Sequence, residues 1–174
     1  MPRRLTVLEA TSLLVALVSL FGALHVPLWD PPELENAELA RRIARGLLGA
    51  GGLGNAESVP TRGELGKGEL PFLAMALGFR AFGLEPWAAR LPLALFALAG
   101  VLALFFAVRS LVSRRAAALA VLALSTTPLY YLQARSLLGD ITTLSATVLG
   151  FSGHALLAFD DVATRRRWLG AGLA

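Results

Sequence analysis

The sequence predicts an all-α integral membrane protein. Of its 174 residues, 56% are hydrophobic and 16% charged, where an ordinary soluble domain carries about 25% charged residues. Mean hydropathy is +0.65. Several apolar runs approach the roughly 20 residues that a helix needs to cross a bilayer's hydrocarbon core. There is no cysteine, which excludes a disulfide framework and a thiolate metal site. The net charge of +4 comes from short basic clusters beside apolar runs. Clusters placed that way are topology signals, so nucleic acid is not expected as a partner. Residues 1–174 read as a single membrane domain.

The first span covers about 5–28, behind Arg3-Arg4, with Glu9 near its start and His25 near its end. The run is long for a signal peptide, and Leu28-Trp29-Asp30 is no small-x-small cleavage site, so an uncleaved signal anchor is expected. His25 reads as an interfacial residue. An outer loop, 29–90, follows, and Asp30, Glu33, Glu35 and Glu38 place four carboxylates within nine residues at its start. Ala40, Ile43, Ala44, Leu47 and Leu48 then recur at helical spacing, with Glu38, Arg41, Arg42 and Arg45 on the other side. That pattern predicts an amphipathic helix over 33–48, suited to a membrane surface. Gly49 to Gly54 stops it.

Residues 70–82 are apolar but short for a span, and Arg80 lies inside them. They read as a second, interfacial helix. Spans at 91–108, 116–132 and 141–159 complete about four crossings. With the N-terminal arginines inside, this arrangement also puts Arg109, Arg114, Arg115 and Arg165 to Arg167 inside, as the positive-inside rule asks. A crossing by 70–82 would break that agreement.

This topology brings the first-loop acids and Asp140 onto one outer face. None lies at mid-bilayer, where ion-coupled transporters place their acids. A carboxylate at the membrane–water boundary can take a proton from an acceptor whose other end is anchored in lipid, or it can hold a divalent metal. Carboxylates and histidine alone do not fix a metal, so no cofactor is assigned. Lys67, Arg80, Arg90 and Arg135 share that side and can pair with a lipid phosphate. Structural roles stand beside these. Asp30-Pro31-Pro32-Glu33 has the makings of an N-cap, a first-turn proline and a capping box. Asp140 can cap the fourth span, and Arg90 and Arg135 can anchor helices at the interface.

Trp29-Asp30-Pro31-Pro32-Glu33, followed by Ala37-Glu38-Leu39-Ala40-Arg41, resembles the first outer-loop motif of a known group. This is the bacterial protein-mannosyltransferase-like and aminoarabinose lipid A transferase group, polytopic glycosyltransferases of the GT-C fold. Further matches follow in register: Lys67-Gly68-Glu69-Leu70, Ala88-Ala89-Arg90-Leu91-Pro92, Ser125-Thr126-Thr127-Pro128-Leu129, and Ala134-Arg135 with Leu138-Gly139-Asp140. The resemblance implies transfer of a hexose or pentose from a polyprenyl-phosphate donor to a periplasmic lipid, protein or glycan, with the enzyme in the inner membrane among its lipids. It implies Glu33 or Asp30 as catalytic base, Asp140 in support, and Lys67 and Arg135 as donor-phosphate contacts.

Some members carry an Asp-Glu pair at the positions of Pro32-Glu33, and Asn36 stands where tyrosine is common. Gly68 and Glu69 replace both prolines of the usual Lys-Pro-Pro-Leu. Members are far longer, so the chain is expected to be the N-terminal part of one and need not act alone. The competing class is a non-catalytic membrane module, a transporter or assembly subunit, which would move its substrate without breaking a bond.

Overall fold

A computed structural model describes residues 6–22, 24–28, 31–46, 59–61, 63–66 and 68–159, and those residues form helices joined by turns. The helices are α1 (Val7–Phe21), α2 (Pro32–Gly46), α3 (Glu69–Phe82), α4 (Pro86–Leu111), α5 (Arg114–Thr126), α6 (Pro128–Arg135) and α7 (Asp140–Phe159). The chain divides into two compact units, Met1–Gly22 with Ala97–Tyr131 and Thr143–Ala174, and Ala23–Phe96 with Leu132–Thr142.

In the first unit α1 opens with a capping box. The Thr6 N–H donates to Glu9 Oε2 at 2.7 Å, and the Glu9 N–H donates to Thr6 Oγ1 at 3.3 Å, satisfying two donors that a helix start leaves open. Glu9 is fully buried, and its Oε1 lies 3.1 Å from Arg109 Nε. The Arg109 guanidinium also sits 5.5 Å from the centre of the Phe105 ring, a cation–π distance. The first turn of α1 therefore meets the last turn of α4. α1 also packs on α5. Tyr130 donates its hydroxyl to the Ala97 carbonyl at 2.6 Å, which ties α6 to α4. Gly100 leaves room for that hydroxyl, since a Cβ there would come within 2.5 Å of it.

Among the described residues two helices, α4 and α7, are long and apolar enough to cross a membrane, or three spans if the bent pair α5 and α6 counts as one. The stretch expected as a span at 116–132 is built of two helices bent by 63°. Pro128 supplies the reason, because it has no N–H to continue the ladder and disfavours helical geometry in the residue before it. Thr127 accordingly adopts φ −62° and ψ 123°. Both threonines at the break bond back, Thr126 to the Leu122 carbonyl and Thr127 to the Ala123 carbonyl, each at 2.6 Å. α1 is also shorter than the expected 5–28, because Gly22 caps its C-terminal end.

In the second unit α2 buries Glu33, Ala37, Ala40, Ile43 and Ala44, one face of a helix by their spacing, and packs on α3. On its other side Arg41 pairs with Glu38 at 2.6 Å. α3 is bounded by Gly68 and Gly83, at φ 85° and 88°, conformations that glycine alone adopts without strain. Gly78 is needed for a different reason. Pro92 cannot donate to the Ala88 carbonyl four residues back, and α3 packs its glycine against that carbonyl, where a Cβ would overlap the oxygen. Gly78→Ala is expected to destabilise the protein by about 1–3 kcal/mol through overpacking. A thermal melt in detergent checks this, with Leu77→Ala, at an exposed position of the same helix, as the neutral control.

Glu64 accepts from both the N–H and the hydroxyl of Thr61, at 2.7 and 2.8 Å. These bonds, the backbone one first, hold its carboxyl below the ordinary value of 4.5. A depressed folded pKa means stabilisation that is present above the unfolded value and lost as pH falls through the folded one. Thr61→Val is therefore expected to move the Glu64 titration midpoint back up towards 4.5, as read by NMR of the labelled side chain.

Candidate active site

The candidate site lies entirely within the second unit and is built around the start of α2. Pro32 opens the helix, where a missing N–H removes no helical bond. Glu33 follows, only 3% exposed. Its Oε2 accepts from Arg90 Nη2 at 2.7 Å, and its Oε1 accepts the Leu137 N–H at 2.7 Å. Arg90 is also 3% exposed. It donates further to the carbonyls of Leu24 at 3.3 Å, Pro27 at 3.2 Å, and Val26. One guanidinium thus gathers the segment of chain leading to α2, the carboxylate of its first turn, and the start of α4.

Asn36 lies one turn after Glu33, and residues three apart share a helix face. Its Nδ2 donates to the Leu137 carbonyl at 2.8 Å. Glu33 and Asn36 together therefore hold both backbone polar groups of Leu137, a fully buried residue in the turn between α6 and α7. Gly139, at φ 83°, closes that turn and its carbonyl accepts from the Thr142 hydroxyl at 2.9 Å. Asp140 then begins α7, half-buried, with Oδ2 accepting from Gln133 Nε2 at 3.1 Å.

Two of the sequence-predicted site residues, Glu33 and Asp140, are thereby brought into one connected arrangement, through Leu137 three positions before Asp140. Arg135 ends α6 and is half-buried. Asp30 and Lys67 lie outside the described residues. Arg90, expected as an interfacial anchor or lipid-phosphate contact, instead points inward and is engaged by Glu33 and backbone carbonyls. Burial explains the change: a guanidinium this enclosed needs an anion and carbonyl partners in place of water. Sequence reasoning missed the parts played by Asn36 and Leu137. The spacing of Asn36 from Glu33 was the available signal; nothing in the sequence marks Leu137. Among the described residues no three His, Cys, Asp or Glu side chains converge on a metal position.

Beside this clamp is an open groove of about 200 Å³. Leu34, Ala37, Phe79 and Leu84 contribute apolar walls, and Glu38 and Arg41 supply charge. An apolar wall beside a charged pair suits an amphiphile with a polar head.

The described residues thus form an all-helical chain with apolar helices long enough to cross a membrane and a buried carboxylate–guanidinium clamp that ties the first acidic segment to the turn before Asp140. The chain belongs to the dolichyl-phosphate-mannose-protein mannosyltransferase family, whose model it matches over residues 67–174. Its fold is similar to the crystal structure of ArnT from Cupriavidus metallidurans in the apo state, with a TM-score of 0.72 and 24% identity. That match covers 94% of this chain and 30% of that one, so the chain spans under a third of its structural relative's length. No curated protein matches it. The GT-C group expected from the motifs is the group found.

Proposed function

We propose that this chain forms the membrane region of a glycosyltransferase that moves a sugar from a polyprenyl-phosphate donor to an acceptor at the outer boundary of the inner membrane. The observation that carries the reading is the clamp on Leu137, which ties the first acidic segment to the second beside an amphiphilic groove. The topology is supported by the contact between Glu9 and Arg109. With the start of α1 at the end of α4, the chain between them leaves and returns on one side, and α2 and α3 add no net crossing.

In the reaction the acceptor hydroxyl or phosphate attacks the anomeric carbon, the bond from that carbon to the donor phosphate oxygen breaks, and polyprenyl phosphate leaves. Glu33, with both oxygens bonded and almost no exposure, acts as a positioning residue. The proton is taken by Asp140 or Asp30, and Lys67 and Arg135 balance the departing phosphate. The apolar groove receives the first isoprene units of the donor.

Leu34 is a groove wall and 53% exposed. Leu34→Glu is expected to raise KM for a polyprenyl-phosphate sugar about tenfold, roughly 1.4 kcal/mol, with kcat unchanged, because it removes binding common to ground and transition states. Transfer of labelled sugar in reconstituted bilayers measures this. Transfer from a sugar nucleotide alone, with none from the lipid-linked donor, would overturn the proposal.

A further inference from the structure

The end of α4 and the start of α5 meet at a corner that carries three arginines. Arg109 lies in the last turn of α4, and Arg114 and Arg115 open α5. Only Val112 and Ser113 separate the two helices. Their N–H groups both donate to the Val108 carbonyl, at 2.9 and 3.2 Å, and the Ser113 hydroxyl accepts the Ala116 N–H at 3.1 Å. The turn therefore holds the two helix ends side by side. α4 is long and apolar enough to cross a membrane, which sets its last turn at the level of the lipid headgroups.

Among the described residues the carboxylate at this corner is Glu9. It is fully buried, lies 3.1 Å from Arg109 Nε and is within electrostatic reach of Arg114. The Arg109 side chain is 21% exposed and meets Glu9 through Nε, so the edge formed by Nη1 and Nη2 is turned away from that carboxylate. Arg115 is exposed and forms no bond or ion pair with a described residue. Its position also opposes the helix dipole, which favours an anion in the first turn and disfavours a cation. A negative group seated between Arg109 and Arg115 offsets both the unpaired charge and the dipole.

We propose that this corner binds the headgroup of an anionic phospholipid, with the phosphate held between the outer edge of Arg109 and Arg115. A planar guanidinium presents two parallel N–H donors that match phosphate oxygens. Arginines near a membrane surface each favour anionic lipid, and basic clusters between membrane helices take such headgroups. A zwitterionic lipid brings an ammonium with its phosphate and leaves the excess positive charge in place; an anionic one removes it. The end of a span is where headgroup phosphate is concentrated, which argues for a lipid over free phosphate. Bound there, the lipid bridges α4 and α5 beside the contact that holds α1. The inference needs only that α4 crosses the membrane and does not depend on the proposed chemistry.

The sequence has no cysteine, so a single label can report on the corner. Val112→Cys, exposed in the turn, carries bimane in the full chain. The protein is reconstituted into phosphatidylcholine vesicles holding a minority of brominated phosphatidylglycerol or, separately, of brominated phosphatidylcholine. Leu129→Cys, exposed beyond the far end of α5, is the reference. The relative association of phosphatidylglycerol over phosphatidylcholine, read from the quenching, is expected well above one at position 112 and near one at the reference. Arg115→Gln should lower it at 112 by about fivefold, the effect of one cation near a charged membrane surface, and Arg115→Lys should keep most of it. Arg115 bonds to no described residue, so neither change removes a contact of the fold. Equal association of the two lipids at 112 overturns the proposal, as does a preference that Arg115→Gln leaves unchanged. Loss of the preference when inorganic phosphate is added at constant ionic strength also overturns it, since the corner would then take free phosphate in place of lipid.

Discussion

Arg90→Met lowers stability by about 3–5 kcal/mol, because it leaves the Glu33 carboxylate buried without its guanidinium. Glu33 and Arg90 are each 3% exposed, so water cannot replace the lost partner. Three backbone carbonyls, of Leu24, Val26 and Pro27, lose a donor at the same time. The double variant Glu33→Gln/Arg90→Met should recover part of the loss, since neutral glutamine leaves no unpaired charge and its carbonyl can still accept from Leu137. Thermal unfolding in detergent, run as a double-mutant cycle, measures the coupling. Strict additivity of the two single variants would show that the pair does not act as a unit.

For the proposed transfer reaction, Asp140→Asn is expected to lower kcat by about 10²–10⁴-fold, the range contributed by general-base catalysis. The substitution keeps the oxygen that Gln133 addresses, so the fold and KM should change little. The pH profile separates the roles. If Asp140 is the base, its acidic limb disappears in Asp140→Asn and survives in Glu33→Gln, where kcat falls through misplacement of the Leu137 turn. Should Asp30→Asn remove the limb and Asp140→Asn leave it, the base is Asp30. Loss of the limb in Glu33→Gln alone would return the role to Glu33, against the geometry of its two occupied oxygens.

Much of the local structure was legible because it depends on near neighbours. The repeat of Ala40, Ile43 and Ala44 against Glu38 and Arg41 defines α2 by periodicity, and α3 occupies Glu69–Phe82 where a short apolar helix was expected at 70–82. The break at Pro128 was also written in the sequence, in Thr127-Pro128. The hydropathy of the run obscured it. The acids were legible as a group, because four carboxylates in nine residues beside an apolar run are unusual.

Their division of labour was not legible. Composition and spacing determined that this is an all-helical membrane chain with two acidic segments, and its motifs placed it in the GT-C group. Tertiary structure decided that Glu33 faces Arg90, 57 positions later, and Leu137, 104 positions later. Whether a carboxylate is a base or a clamp depends on what surrounds it once folded: desolvation, an opposing charge and a backbone N–H. Those neighbours come from distant parts of the chain, so local pattern identified the residue and only three-dimensional packing decided which partners it meets.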